Sequence, residues 1–433
     1  MLARRNVPAR APAALALAAL LAATGCAGRD DDAAAPPVES SAATPHGYVE
    51  GAQEAAEQQS RLLLSDPATG DTRVLDLTTA ETHDVAPVPG ATALTADGRF
   101  GFLPTDEGIR VVDTGAWTVD HGDHVHYYRA AIRDAGRIAG GPGVQVRSDA
   151  AVTAVTDTAG RAGVYDRTAM ETGGPGAPRT LPGTYSGAVV PYGEHLVALT
   201  RDTDGPRVVV LDREGRRVAT PGTVCESPGG DAVTRRGVVI GCADGALLVR
   251  ESGGRFTAER IPYGEDVPAA ERATAFHHRA GSDTLTAPAG ERGVWVLDVT
   301  DRAWTRVATG PAVAANTAGE GSPLLVLAAD GALHGYDIAT GERTATTRPL
   351  LTGPLLTGPR GDPADSADGT DHTDSAAGAG HAATPRIEVD RSRAYVNDPA
   401  GKRVFEIDYN DGLRIARTFA LDMRPALMAE TGR

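Results

Sequence analysis

Short apolar runs, usually ending in aspartate and followed by a polar turn and a second run, recur from Arg61 onward. The phrase appears as RLLLSDPATGDTRVLDL at Arg61 and returns as GIRVVDTGAWTV from Gly108 and RAGVYDRTAM from Arg161. It recurs as PRVVVLDREGRRVAT from Pro206 and GALLVRESGGRFTAERI from Gly245. Three further copies begin at Arg292 (RGVWVLDVTDRAWTRVAT), Gly331 (GALHGYDIATGERTATT) and Lys402 (KRVFEIDYNDGLRIARTF). Apolar runs of this length, bounded by Gly, Asp and Pro, are strands joined by turns. No long segment carries a helical period. Other strand-like pieces, such as HLVALTRD from His195 and GVVIGCADG from Gly237, lie between the copies.

With one insertion removed, the copies repeat every 40 to 45 residues or about that, the size of a four-stranded propeller blade. The expectation is therefore an all-β chain, a β-propeller over residues 60–425. Eight blades are favoured; seven are possible but need longer units and a stray hairpin. A blade packs only on its neighbours, so the ring must close, commonly by pairing N- and C-terminal strands in one blade.

The ends and one interruption fall outside the pattern. Residues 1–25 carry Arg4, Arg5 and Arg10, then an apolar run too short to span a bilayer easily, ending in LAATGC. The small residues before Cys26 resemble a bacterial lipobox, with Ala23 where Leu is usual. That makes 1–25 a lipoprotein signal and Cys26 the lipidated residue, holding the protein outside the cytoplasm at the outer face of the cell membrane. Residues 26–59 are rich in acids, Ala, Pro and Ser and form a disordered tether. Residues 353–385 form a low-complexity inserted loop between the last two units. Its Asp365, Asp368, Asp371 and Asp374 lack the spacing and the closing Glu of a calcium loop.

Charge and cysteine narrow the chemistry. A formal net charge of −15 argues against nucleic acid and anionic lipid as ligands and favours cation binding or simply soluble behaviour. Cys225 and Cys242 flank a hairpin in an exported chain, so they are expected to form a disulfide.

The densest chemistry lies in DHGDHVHYY, residues 120–128. Three of the eleven histidines fall within six residues. HVHYY has strand composition, and residues two apart on a strand share a face. His124 and His126 should project together, with His121 and Asp123 bending in from the preceding turn. Zinc sites gather imidazoles in this way. The expected ligand set is His121, His124 and His126, with Asp123 as a ligand or as the group that orients an imidazole. A fourth protein ligand would be His277 or an acid. His46, His83, His195 and His334 sit alone. Motifs of hydrolases, phosphate-binding loops and zinc-protease helices are absent, although carboxylates scattered over several blades can assemble an active site that spacing does not reveal.

These features resemble the AztD-type zinc metallochaperones. The likeness is most specific at His121–Tyr128 preceded by VVDTGAW, and extends to the Cys225/Cys242 pair with GCADGALLV and to AYVNDPAGKRVFEIDYNDG from Ala394. The resemblance implies an exported propeller that binds Zn²⁺ and hands it to the solute-binding protein of a zinc ABC importer, without catalysis and as a monomer. The family's further histidines in later blades have no counterpart here: Val144, Ser186 and Gly229 stand at the equivalent positions. The alternatives are a cell-surface scaffold for a protein or glycan and, third, a metal-dependent propeller hydrolase or lactonase.

Overall fold

The structure, a computed structural model, describes residues 49–121, 124–352 and 385–433. Cys26, most of the tether, Asp123 and nearly all of the 353–385 loop lie outside the described residues.

The apolar runs are longer than an alternating pattern would give because both faces of each sheet are covered. In the strand Arg61–Ser65, Leu62 and Leu64 pack with Tyr395, Val404 and Phe419. Leu63, pointing the other way, packs with Leu103 and Val112. The period of two therefore sends alternate side chains into different sheets.

Eight sheets follow this rule. Blade 1 combines Leu427–Thr431 with Arg61–Ser65, Thr72–Asp76 and Thr82–Val85. Blade 2 combines Thr95–Ala96, Phe100–Thr105, Gly108–Asp113 and Arg133–Ile138. Blades 3, 4 and 5 occupy 145–180, 190–219 and 229–262. Blades 7 and 8 occupy 312–346 and 387–420. In blade 6 three strands run from Thr284 to Val307, and a single bridge between His277 and Thr286 stands where the others have an inner strand.

Apolar clusters join each blade to the next all the way round. Phe102 and Val111 meet Val146 and Val155 between blades 2 and 3. Val164 meets Leu196 between blades 3 and 4, and Val208 meets Val238 between 4 and 5. Val239 meets Leu285, Val296 meets Leu324 and Leu327 meets Val396 across the remaining gaps. The ring is closed by Leu427–Thr431, which pairs antiparallel with Arg61–Ser65 from Arg61↔Thr431 to Ser65↔Leu427.

The aspartate that ends so many strands has a structural job. Its carboxylate accepts from the backbone N–H groups of the turn that follows. Asp76 accepts from Thr78 and Thr79 at 2.9 and 3.0 Å, and Asp298 accepts from Thr300 and Asp301 at 2.8 and 2.9 Å. Such a turn satisfies its own donors, and the motif recurs at Asp212, Asp337 and Asp408 in blades 4, 7 and 8.

Several expectations need correction. The copy at Arg61 spans the second and third strands of blade 1, whereas most later hairpin copies span the third and fourth; the matching hairpin is Thr72–Val85. The closing strand lies beyond residue 425, because its register partner at Arg61 determines the ring's end. RAGVYDRTAM continues into a short helix, Arg167–Thr172, capped by Asp166. GIRVVDTGAWTV is not one hairpin: its two halves belong to different sheets. Within the stretch expected to be tether, Gln53–Ala55 forms a strand. Cys225 and Cys242 are joined by a disulfide across a Cα–Cα distance of 5.2 Å, in blade 5 and the loop leading into it.

The closing strand carries one strained charge. Glu430 is 2 % exposed, and its Oε1 has no hydrogen-bond partner. Burial pushes its carboxyl up to about 7, against the pull of Arg433, 3.1 Å away. Between the ordinary carboxylate range and that value the folded state keeps a proton that the unfolded chain has released. Stability from this group is therefore full at low pH and lost as pH rises toward 7, by about 3 kcal/mol at most. Glu430→Gln, which mimics the protonated form, should match wild type in thermal melts near pH 4 and exceed it by a widening margin up to pH 8. A margin that does not change with pH would place the Glu430 titration back in the ordinary range.

Candidate metal centre

The histidine segment sits on a hairpin inserted between the third and fourth strands of blade 2. Ala116–Asp120 pairs with Val125–Arg129 from Ala116↔Arg129 to Asp120↔Val125, forming a separate sheet. Gly115 makes the departure from the blade possible. Its φ is +69°, and a Cβ there would collide with the Ala130 carbonyl and the Ala131 backbone.

The root of the hairpin is anchored by a buried charge pair. Arg99 donates to both oxygens of Asp113 at 3.0 and 2.8 Å, with both side chains almost fully buried. Bidentate geometry and burial make this pair expensive to break from one side. The Arg99 guanidinium also lies 3.8 Å from the centre of the Trp117 ring. Trp117 stacks on Tyr128 at 5.5 Å, and Tyr128 on His126 at 6.2 Å. A continuous stack thus runs from the blade core to the histidines.

At the tip, the N–H of His121 donates to the carbonyl of His124 at 3.0 Å. The two rings lie face to face at 4.8 Å. The strand begins at Val125, so His124 lies just before it rather than in it, but His126 two positions later still lies against His124, 4.9 Å between ring centres and edge-on. His121 and His126 are 5.3 Å apart. One nitrogen from each ring falls within 4.8 Å of the others. Three nitrogens around a tetrahedral zinc at 2.0–2.1 Å lie about 3.4 Å apart, so small ring rotations bring these donors onto one ion. His121 and His124 are exposed and His126 is partly buried.

A third strand joins this sheet from the N-terminal side. Gln53–Ala55 pairs with Val125–Arg129 through Gln53↔Arg129, Glu54↔Tyr128 and Ala55↔Tyr127. It places Glu54 Oε1 2.7 Å from His126 Nδ1. Sequence reading missed Glu54 because three residues in an Ala- and Glu-rich stretch carry no strand pattern of their own.

The other histidines do not join. His277 bridges Thr286 at the inner edge of blade 6 and is not in the cluster. His278 lies 3.2 Å from the Val233 carbonyl, and burial, aided by Arg433, pushes its imidazole down to about 4. His334 is buried, with Nδ1 3.1 Å from Thr346 Oγ1. Among the described residues, the histidine hairpin is the one group of three metal-ligating side chains. Arg147 and Asp231, which sit on the inner strands of blades 3 and 5, form a two-point ion pair at 2.5 and 2.8 Å. A cavity of 180 Å³ between blades 5, 6 and 7, lined by Arg235, Arg236, Arg279 and Asp283, is made by residues far along the chain from the hairpin.

No protein-family model matches the sequence, and no curated relative does. Solved structures do. The chain is similar to the crystal structure of Citrobacter koseri AztD, with a TM-score of 0.67, 18 % identity, and coverage of 87 % of this chain and 98 % of that one. Apo AztD from the same organism matches with a TM-score of 0.67, 17 % identity, and coverage of 86 % and 98 %. The dihydro-heme d1 dehydrogenase NirN in complex with DHE matches with a TM-score of 0.51, 13 % identity, and coverage of 87 % and 76 %. The resemblance to AztD expected from the sequence is thus met in the structure. At these identities the likeness speaks for the propeller fold.

The anchoring stack can be tested at its root. Arg99→Met leaves the buried Asp113 carboxylate with Arg133, 3.2 Å away, and the Gly115 N–H, 3.0 Å away, in place of its two-point partner. The expected loss is about 3–5 kcal/mol in denaturant unfolding, together with faster proteolysis within 116–129. A variant as stable and as protected as wild type would show that the hairpin holds its place without this pair.

Proposed function

We propose that the protein binds zinc outside the cytoplasm and delivers it to the solute-binding protein of a zinc ABC importer. The observation that carries this reading is the meeting of His121, His124 and His126 at the tip of an anchored hairpin. The structural likeness to AztD supports it. The three histidines are the proposed ligands, and zinc is the cargo rather than a resident cofactor. A fourth tetrahedral position falls to Asp123, to water or to a donor from the receiving protein.

The geometry suits transfer. Two of the ligands are exposed, so an incoming protein reaches the metal and replaces ligands one at a time. A buried four-ligand site would instead hold its metal for structure. Nothing in this cycle needs a bond of a substrate to break, so the proposed role is binding without catalysis. Export by the N-terminal signal and lipidation at Cys26 would keep the protein at the membrane surface where an importer takes up its ion.

His124→Ala/His126→Ala should lose stoichiometric zinc binding in a competitive titration while its thermal midpoint stays that of wild type. His124 is exposed and His126 is partly buried on the hairpin strand, and neither belongs to an apolar cluster of the blades. Tight zinc binding by the double variant would remove the hairpin from the mechanism. Failure of the loaded wild type to pass zinc to an importer's binding protein would favour the surface-scaffold reading.

A further inference from the structure

We infer that Glu54 is a positioning residue for the metal site, and that the three-residue strand bearing it sets how tightly the hairpin holds zinc. The inference rests on the zinc reading above and adds the group that tunes it.

The contact is specific. A carboxylate only accepts, so at 2.7 Å the neutral His126 ring donates from Nδ1 to Glu54 Oε1. That fixes the proton on Nδ1 and leaves the lone pair on Nε2 for a metal. A carboxylate behind a ligating imidazole fixes the ring's tautomer and orientation and raises its basicity. Glu54 is half exposed, 51 % by side chain, so its value lies in direction more than in Coulomb energy.

Register puts it there. Successive residues of a strand point to opposite faces. Glu54 is paired with Tyr128, which lies on the His126 side of its strand, while Gln53 and Ala55 point the other way. A slip of one residue would replace the carboxylate by Gln53 or Ala55 and send Glu54 to the far face. Only three residue pairs hold the strand, and it forms the outer edge of its sheet. The hairpin keeps its own five pairs, from Ala116↔Arg129 to Asp120↔Val125, without it. Lifting Gln53–Ala55 therefore withdraws the carboxylate from His126 and leaves the histidines on an intact hairpin. The strand is the separable part of the site, and its docking couples the N-terminal segment to zinc affinity.

The test uses the exported chain as wild type, Glu54→Gln and Glu54→Ala. Imidazole ¹⁵N NMR of the metal-free protein reads the His126 tautomer, assigned by the signal lost in His126→Ala. Wild type should show the Nδ1–H form, Glu54→Ala should shift toward the Nε2–H form, and Glu54→Gln, which keeps an acceptor, should fall between. Competitive titration should show zinc bound about 10–100-fold more weakly by Glu54→Ala, with Glu54→Gln intermediate and thermal midpoints unchanged. Nε2–H in the wild type, or equal affinity in Glu54→Ala, overturns the inference. A wild type that binds no zinc overturns the proposed function and the affinity half of this one; the tautomer then decides the positioning half by itself.

Discussion

Pairing of Leu427–Thr431 with Arg61–Ser65 is the constraint on which the ring depends. Every other blade is built from strands close together in sequence, and each buries its faces on its two neighbours. Such a row of sheets has two open ends until the last is joined to the first. Backbone hydrogen bonds make that join, and Met428 seals it among Leu62, Leu64 and Phe419. Because the closing strand supplies the inner position of blade 1, the two ends of the described propeller are held in one sheet.

A closed ring frees parts of the chain from structural duty. The turn between the third and fourth strands of blade 2 has been extended into a hairpin that belongs to no blade. Its tip is polar and exposed, whereas its root is among the most buried places in the protein. Arg99, Asp113, Trp117 and Tyr128 transmit the rigidity of the blade outward by an ion pair and stacked rings. The result is a small platform on which His121 and His124 are exposed and His126 is held by its neighbours.

How much was legible follows from the range of the interactions concerned. The hairpin copies from Pro206 onward were readable because strand, turn and strand are neighbours in sequence and the turn aspartates satisfy local N–H groups. The disulfide and the histidine cluster were readable for the same reason: Cys225 and Cys242 flank one short segment, and His121, His124 and His126 lie within six residues. The copies at Arg61, Gly108 and Arg161 misled. Their local patterns match the others, but strand order in blade 1, the split of the Gly108 unit and the helix at Arg167 are decided by partners elsewhere.

The sequence by itself determined the class of fold, the approximate number of blades and the histidines that make the candidate centre. These rest on periodicity and on spacing within a few residues. Tertiary structure alone decided which strand closes the ring, that the histidine hairpin leaves its blade, and that Glu54 faces His126. Glu54 and His126 are 72 residues apart. Their meeting depends on a register, and register is a property of two strands together that neither one carries.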